Sequence, residues 1–499
     1  MASPFEKLPA EVLCSINLLL GKPELYSLSV ASKTLSEISL KALVSDVALY
    51  PNDESVSRFC NLASTSRLAI EVRSVYIYTS NAPYVSRCPS LPKDEGDFDF
   101  IQDMYERVSP IYDSEKDTQM SDNFKRAIRR ISELPNLDSV ALQFDAYCGE
   151  EDGHWLSEPT ETHTFRAKVL KHLVKTLIKH QAQPNHRRIR KLSLINLQNL
   201  NPEMTHSRTT WEGTTRTKLQ QGFLDIMSGL DTFKMRIVNE VAIENESRYH
   251  FALWQPQNFL NGLFANWFRP CFDNLKHLTL LNDMYFGVIP SLKQTSVFVF
   301  PHLKSLTLEN FVFGADWQLD WILEHKTLKS LHLINCAIIY HTTLIGEDKH
   351  EGYQAHSENV YQEQHAKGSL TWSYDKRWHD YFPVIRERLP RLKHFQFVGG
   401  EEVGCDERTC VRRRDWVENI VMEESRLFKE IYLIYDERET MKFGRVYLLG
   451  GDDAEDIMEP VRPSCEEEDE IALRQLLEGI GMRLPIGIEY NMSKGGVTR

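Results

Sequence analysis

The chain has 499 residues, of which 42% are hydrophobic and 26% charged, proportions typical of a folded globular protein and not of a disordered one. Its formal net charge of -13 at pH 7 argues against general nucleic-acid binding, which requires a basic surface to neutralise phosphates. The sequence contains no run of about 18 apolar residues, which is the length that a membrane-spanning helix requires. This length predicts about two or three domains, or one domain joined to a repeat array.

The nine cysteines are scattered and odd in number, which predicts free thiols and an intracellular protein. The first residues include Glu6, Lys7 and Glu11, followed by a periodic apolar pattern. A secretory signal would instead show a basic segment and then a continuous apolar one. We therefore expect the start of the chain to be folded, and the protein to be cytoplasmic and/or nuclear.

Three short helices are predicted in residues 1–50. Leu8-Pro9 precedes a first helix, because proline is tolerated at the first helical position, and the apolar residues that follow lie on one face. Gly21-Lys22-Pro23 predicts the end of that helix. Two further helices are predicted around Leu25–Val30 and Ser32–Leu43. Such a small unit has little core and would gain stability from a partner.

This pattern resembles an F-box. The residues that match are Leu8-Pro9, Glu11-Val12-Leu13, Ile16, Leu20, Leu25, Leu28, Val30, Ser32-Lys33 and Leu35, and the segment 43–49 is similar to the stretch that follows many fungal F-boxes. The resemblance implies that residues 1–50 dock a Skp-type adaptor and, through it, a cullin of a ubiquitin ligase. It implies an adaptor-binding face made of Leu8, Pro9, Val12, Leu13, Ile16, Leu20, Leu25 and Leu28. The alternative is an ordinary helical subdomain that packs on the rest of the chain.

A second pattern, Leu-x-x-h-x-h with h apolar, recurs through residues 51–499. Clear copies begin at Leu137, Leu275, Leu303, Leu328 and Leu392, and looser copies span 72–77, 189–194, 230–235 and 428–433. The last two apolar positions alternate as in a short strand. Just after some of these strands lie Asn196, Asn282, Asn310 and Asn335, where an amide side chain can hydrogen-bond turn backbone.

The recurring phrase resembles the leucine-rich repeat, L-x-x-L-x-L-x-x-N. A helix is predicted between two copies, with an apolar face from Phe165 to Ile178 and Lys168, Lys171, Lys175 and Lys179 on the other side. Strand, helix and strand in succession predict a parallel sheet with outer helices. We therefore predict an α/β protein: a three-helix F-box and then an irregular leucine-rich-repeat-like solenoid, as in fungal F-box proteins. The alternative is a compact α/β domain that reuses the same phrase.

Two polar insertions are predicted to interrupt the repeats, near 199–217 and 341–380. The second is rich in His, Gln, Glu and Tyr and lies between two strand copies, and the sequence leaves open whether it folds. A structureless loop of this length is usually functional or disordered. Near the end of the chain, an acidic run precedes a helix that is predicted from Asp469 onwards, with Leu473, Leu476 and Leu477 on its apolar face.

The two resemblances together imply a non-catalytic substrate-recognition subunit of a Skp/cullin/F-box ubiquitin ligase. A protein target of unknown identity would bind the concave face of the sheet, at His277, Thr279, Ser305, Thr307, Glu309, Ser330, His332, His394 and Gln396. One alternative is an F-box scaffold that acts outside a cullin ligase. Another is a hydrolase or transferase with an unrecognised site.

Motifs for catalysis are missing from the sequence. His350-Glu351 is followed by Gln354, so the zinc-protease pattern fails, and Cys405 and Cys410 have no second cysteine pair. No phosphate-binding or nucleophile-elbow motif occurs. We therefore expect no enzymatic activity, no cofactor, no metal, and no nucleic-acid or membrane partner.

Overall fold

The computed structural model describes residues 8–17, 19–80, 120–145, 161–202, 217–238, 254–283, 285–288, 292, 298–345, 360–365, 369–398, 431–436, 442–443 and 463–482. The described residues form an α/β protein with a large parallel sheet. Its helices are α1 (Ala10–Asn17), α2 (Lys22–Ala31), α3 (Lys33–Ser45), α4 (Asp53–Ser64), α5 (Ser66–Ala69), α6 (Asp122–Arg130), α7 (His163–Gln181), α8 (Lys218–Ser228), α9 (Trp254–Leu263), α10 (Asp316–Leu323), α11 (Trp378–Arg388) and α12 (Glu466–Gly479).

The strands form two sheets. They are β1 (Asp46–Leu49), β2 (Ser74–Tyr78), β3 (Ser139–Gln143), β4 (Lys191–Gln198), β5 (Thr232–Val238), β6 (His277–Asn282), β7 (Ser305–Glu309), β8 (Val312–Phe313), β9 (Ser330–Ile334), β10 (Ala337–Ile345), β11 (Val360–His365), β12 (Ser369–Tyr374), β13 (His394–Val398), β14 (Tyr432–Asp436) and β15 (Lys442–Phe443). The first sheet has nine strands in the order β1-β2-β3-β4-β5-β6-β7-β9-β13. The second has six, and β10 lies at its centre.

Helices α1, α2 and α3 form a small helical module at the start of the described chain. Three apolar side chains are fully buried in it, namely Leu13, Leu25 and Leu35. The side chain of Ser32 caps α3 by accepting a hydrogen bond from the backbone N–H of Leu35 (3.3 Å). The three buried side chains are not part of the continuous core of the sheet. The module therefore has a small core of its own.

The last of the three helices ends at Ser45, within the predicted unit 1–50. β1 follows α3 directly and pairs in parallel with β2, with Val47 opposite Val75. Leu49 is completely buried in the core of the sheet. The segment that resembles the tail of an F-box therefore forms the first strand of the sheet, because its apolar residues alternate and complete the edge next to β2.

The large sheet is parallel throughout, and its strands follow one another in chain order. Leu278 pairs with Leu306, Leu306 with Leu331, and Leu331 with Phe395, so the same repeat position forms one buried row across four strands. The five clear copies and the looser copies at 72–77, 189–194 and 230–235 all form strands of this sheet. Their prediction as parallel strands is confirmed.

The looser copy predicted at 428–433 is not a strand of the large sheet. Its described part, 431–433, leads into β14, which pairs in parallel with β10 in the second sheet. The phrase resembles the repeat because Ile431, just before β14, and Leu433, within it, are both buried apolar residues two positions apart. Strand periodicity alone does not say which sheet a strand joins.

Asparagines link neighbouring repeats, Asn196 from near the end of β4 and Asn310 from just after β7. The side-chain amide of Asn196 donates to the backbone carbonyl of Phe144 (3.0 Å), and that of Asn310 donates to the carbonyl of Asn282 (2.6 Å). Asn196, Asn310 and Asn335 have left-handed backbone, with φ of 59°, 57° and 48°. Asparagine tolerates this conformation better than most residues, and it confirms the predicted turn role for Asn196 and Asn310.

The described part of the predicted polar insertion 341–380 is folded. That range contains most of β10, all of β11 and β12, and the start of α11. In β12, Leu370, Trp372 and Tyr374 alternate with polar residues, which is the pattern of a strand with one apolar face. The overall polarity of the range concealed that alternation. Within the other predicted insertion, 199–217, residues 203–216 lie outside the described residues.

The helices pack against one face of the large sheet. In α7, Val169, Leu173 and Leu177 are buried in the core that also holds the buried strand rows, whereas Lys175 and Lys179 are exposed, as predicted. The predicted C-terminal helix is also present, as α12. In the part of the chain that the structure covers, no helix is long and apolar enough to cross a membrane. The face of the sheet opposite the helices is the open face.

Candidate protein-binding surfaces

Exposed apolar side chains are concentrated on the helical module. Among the described residues, seven large apolar side chains are exposed, and five of them belong to this module, namely Leu8, Val12, Leu19, Tyr26 and Val30. Leu19, Tyr26 and Val30 are 86%, 65% and 68% exposed, values that a folded monomer rarely leaves to solvent. Grouped exposed apolar side chains mark a surface that binds a partner.

The structure divides the predicted adaptor-binding residues into two groups. Leu8, Pro9 and Val12 are exposed, while Ile16, Leu20 and Leu28 are partly exposed. Leu13 and Leu25, in contrast, are 2% and 4% exposed, because both side chains turn into the module's own core. We therefore remove these two from the candidate face.

Three exposed residues, Leu19, Tyr26 and Val30, escaped the prediction. Tyr26 and Val30 lie one helical turn apart on α2, so a strict search for residues four apart could have found them. Leu19 lies just beyond the end of α1, where helical periodicity gives no signal. We use the name apolar module face for the exposed apolar residues of the module, namely Leu8, Pro9, Val12, Leu19, Tyr26 and Val30.

On the open face of the sheet, the strand register brings the predicted target residues together. One row across β6, β7, β9 and β13 is His277, Ser305, Ser330 and His394, and the row two residues further along is Thr279, Thr307, His332 and Gln396. His277 and His394 are exposed, and most of the others are partly exposed. Alternation in a strand places both rows opposite the buried leucines.

Two of the predicted target residues are buried, which corrects the prediction. Thr307 is 8% exposed and Glu309 is 7% exposed, because both lie on β7, which has β6 on one side and β9 on the other. Glu309 lies near Arg236 and Lys234 of β5, whose charges favour its ionised form. Burial nevertheless raises the pKa of Glu309 and lowers the pKa of Lys234. The two cations were missed because the repeat copy in β5 is a loose one.

Two histidines of the open face, His277 and His332, are held near neutral charge. Burial lowers the pKa of His277; Asp231 opposes the shift, and Lys304, Lys276 and Lys191 add to it. Burial also lowers the pKa of His332, with a smaller contribution from His394. A hydrogen bond of 2.8 Å joins His332 Nε2 and the hydroxyl of Ser330. At neutral pH these imidazoles therefore offer hydrogen bonds more than charge.

A buried ion pair ties α7 to the ends of β2 and β3. The Arg166 guanidinium lies 3.1 Å from the Glu161 carboxylate, and both side chains are almost completely buried. Arg166 also donates to the backbone carbonyls of Asp145 and Asn196, at 2.7 Å each. Glu161 accepts hydrogen bonds from the Thr79 hydroxyl and from the backbone N–H of Asp145. Every bond runs to a neighbouring strand end, so the arrangement positions the fold.

A second buried polar cluster joins α12, α11 and β14. The carboxylate of Asp469, which is fully buried, accepts hydrogen bonds from the backbone N–H of His379 (2.8 Å) and from the Tyr432 hydroxyl (2.6 Å). The Nδ1 atom of His379 also lies 2.8 Å from this carboxylate, and the Cys465 thiol lies 3.5 Å from it. This cluster is the strongest candidate for chemistry among the described residues.

The geometry of that cluster fits a structural role. Possible ligand atoms of His379, Cys465 and Asp469 lie within 4.8 Å of one another, a spacing that a metal ion can bridge. Yet the carboxylate is already satisfied by neighbouring donors, and burial raises the pKa of the Cys465 thiol to about 11. A cysteine nucleophile requires a lowered pKa. The hydrogen bonds account for the arrangement without a metal or a reaction.

Comparison with known proteins adds no relative: no family model matches the chain, and no curated protein matches it.

Proposed function

We propose that this protein is a non-catalytic substrate-recognition subunit of a Skp/cullin/F-box ubiquitin ligase. In this proposal α1, α2 and α3 form an F-box, and the large sheet with its outer helices is an irregular leucine-rich-repeat-like solenoid. The apolar module face binds a Skp-type adaptor, and the open face of the sheet holds a protein target. Ubiquitin transfer belongs to other subunits, so this chain contributes proximity and orientation to the reaction.

One observation carries the adaptor half of the proposal. A module with three fully buried apolar side chains exposes five large ones, at Leu8, Val12, Leu19, Tyr26 and Val30. A unit with so small a core gains stability when a partner covers its exposed apolar surface. The sequence pattern from Leu8-Pro9 to Leu35 resembles an F-box and therefore indicates a Skp-type adaptor as the partner.

The sheet supports the repeat half of the proposal. Strand order follows chain order, every neighbouring pair is parallel, and asparagines connect successive turns. These features are typical of leucine-rich repeats, in which each unit buries its apolar face only by stacking on its neighbours. The open face then presents one partly exposed row from each strand, a surface suited to an extended partner.

The adaptor half is tested by capture of a purified Skp-type adaptor on the immobilised full-length protein. We expect wild type to retain the adaptor and the double variant Leu8→Ala/Val12→Ala to lose about tenfold or more of the affinity, since a few central apolar residues dominate an interface. The matched control is Ile70→Ala/Ile471→Ala. These isoleucines are 44% and 49% exposed, close to Val12 at 43% and Leu8 at 37%, but they lie outside the module.

Unchanged capture by the control and reduced capture by the module variant would support the proposal. If folded wild type retains no adaptor, or if both double variants lose it equally, the ligase assignment is wrong. Recovery of a cullin with the captured adaptor separates a ligase subunit from the second candidate, an F-box scaffold that acts outside a cullin complex.

A further inference from the structure

A ladder of charged residues runs along the edge of the large sheet where its strands begin. Each position follows the leading apolar residue of a repeat copy, and its backbone carbonyl accepts a hydrogen bond from the same position of the next repeat. The ladder is, in order, Arg73, Asp138, Arg190, Asp231, Lys276, Lys304, Lys329 and Lys393. The sequence shows a charged residue at this position of every copy, but these residues become neighbours only through the order of the strands in the sheet.

The two halves of the ladder differ in charge. From Arg73 to Asp231 the sign alternates, so neighbouring side chains attract one another. From Lys276 to Lys393 all four positions are lysine. Neighbouring strands lie about 4.8 Å apart, so like charges directly beside each other repel. A protein with a net charge of -13 therefore concentrates positive charge at one short edge.

The backbone fixes these lysines in register. The N–H of Lys304 donates to the carbonyl of Lys276 (2.7 Å), that of Lys329 to Lys304 (2.7 Å), and that of Lys393 to Lys329 (2.8 Å). Lys304, Lys329 and Lys393 are exposed, and Lys276 is partly exposed. Among the described residues, no carboxylate forms an ion pair with any of the four. Within the described part of the chain, no ion pair therefore neutralises the positive charge of the lysine ladder.

The lysine ladder adjoins the open face. The next residue of each strand belongs to the row His277, Ser305, Ser330 and His394. The charges of Lys276 and Lys304 both act on the His277 imidazole and contribute to its lowered pKa. Imidazole N–H and serine hydroxyl groups donate hydrogen bonds to carboxylate oxygens. Cations and neutral donors therefore lie side by side.

We propose that the lysine ladder and the adjoining row bind an acidic, extended peptide segment of the target protein. The proposal rests on the proposed function, because it names the chemical class of the segment that the open face would hold. Four lysines at strand spacing span about 14 Å, and an extended peptide rises about 3.3 Å per residue. The ladder is thus about as long as five residues of an extended peptide, of which two or three alternate side chains face the lysines.

A peptide fits these rows better than a nucleic acid does. The two open-face rows from β6 to β13 contain no Phe, Tyr or Trp on which unpaired bases would stack. The cationic stretch is also short compared with the backbone-tracking grooves that bind single strands. Charge complementarity with a carboxylate-rich segment requires neither feature.

The test measures binding of a fluorescent polyglutamate peptide to the full-length protein by anisotropy at low ionic strength. We expect Lys304→Gln/Lys329→Gln to weaken binding about fivefold or more, since two exposed charge contacts are lost. The control Lys175→Gln/Lys179→Gln makes the same charge change on the outer surface of α7, and we expect it to alter affinity less than twofold. Both pairs are exposed, so neither change threatens folding, which circular dichroism verifies.

Absent binding by wild type, or equal loss in both double variants, would overturn the proposal. So would a polyuridine strand that binds more tightly than polyglutamate and with the same lysine dependence, because the ladder would then be a nucleic-acid site. Adaptor capture is measured on the same lysine variants. Reduced peptide binding with unchanged adaptor capture supports the inference, and failed adaptor capture by wild type removes the ligase assignment while the peptide result stands by itself.

Discussion

His325 shows how burial sets the chemistry of a single residue. Its ring stacks on Phe300 with 5.8 Å between ring centroids and meets the edge of Trp321 at 5.4 Å. Its Nε2 atom is buried and has no hydrogen-bond partner among the described residues. Burial lowers the pKa of His325 from 6.5 to about 4, although Ile322, Trp321 and Glu324 oppose the shift. The folded state therefore resists protonation of this ring.

The pH dependence of stability follows from that shift. Between pH 6.5 and about 4, His325 is largely protonated in the unfolded chain and largely neutral in the folded protein. The unfolded state therefore binds more protons, and the free energy of unfolding falls as the pH falls. We expect wild type to lose about 2 kcal/mol more than His325→Phe between pH 7 and pH 5, measured by urea unfolding.

The control for His325 is His302→Phe, which removes an exposed histidine from the same part of the chain. His302→Phe should lose as much free energy of unfolding between pH 7 and pH 5 as wild type does. Fully buried His180, whose pKa is lowered chiefly by burial, acts in the same direction and remains in all three proteins. If His325→Phe retains the full pH dependence, the imidazole is not the group responsible.

At the scale of elements, the asparagine turns hold successive repeats together. Asn310 combines a left-handed backbone with a side-chain bond to the Asn282 carbonyl, while its own backbone N–H donates to Ile334 (2.9 Å). One residue thus links three neighbouring repeats. Cys336 extends the arrangement, because its buried thiol lies 3.5 Å from the carbonyls of Leu308 and Ile334.

Replacement of Asn310 separates the contribution of its left-handed backbone from that of its side-chain hydrogen bond. We expect Asn310→Ala to destabilise the protein by about 2 to 4 kcal/mol, since alanine disfavours this backbone and loses the hydrogen bond to the Asn282 carbonyl. Asn310→Gly loses only the amide bond, and we expect it to be about 1 kcal/mol less destabilising. Chemical denaturation of both variants measures the difference. Equal destabilisation would mean that the left-handed backbone contributes nothing.

The repeat strands of the large sheet were predicted correctly because burial of one strand face requires apolar residues at alternate positions. The repeat copies became strands because each leading apolar residue and each alternate strand residue, such as Leu275, Leu278 and Leu280, is completely buried. The second sheet was not predicted, because its strand β12 looks polar by composition. Pairing of β10 with β8, β12 and β14 involves segments far apart in the chain, and no local pattern specifies it.

At the scale of the whole molecule, the helical module and the sheet have separate cores. The core of the sheet includes Leu49 of β1 but none of Leu13, Leu25 or Leu35. The connection is close: the Lys22 ammonium donates to the carbonyl of Asp46 (2.9 Å), and Lys41 lies 3.9 Å from Glu71. Exposed ion pairs of this kind contribute little to stability.

Two truncations test this division. A protein that begins at Asp46 should keep the melting temperature of the sheet within a few degrees and lose adaptor capture, because its core is intact. A protein that begins at Tyr50 also loses β1, which uncovers Val75 and removes buried Leu49, at a cost of about 2 to 3 kcal/mol. Thermal unfolding compares the two. If both truncations unfold the sheet equally, the module is part of the same folding unit.

Local sequence determined the secondary structure of the helical module and of the large sheet, because burying one face of a helix or strand requires apolar residues at a fixed period. Tertiary structure alone decided which apolar side chains of the module remain exposed, since burial of Leu13 and exposure of Val12 depend on where α3 packs. It also decided that Lys276, Lys304, Lys329 and Lys393 form one ladder. Residues so far apart in the chain become neighbours only when strand order and register are set, which is a property of the assembled sheet.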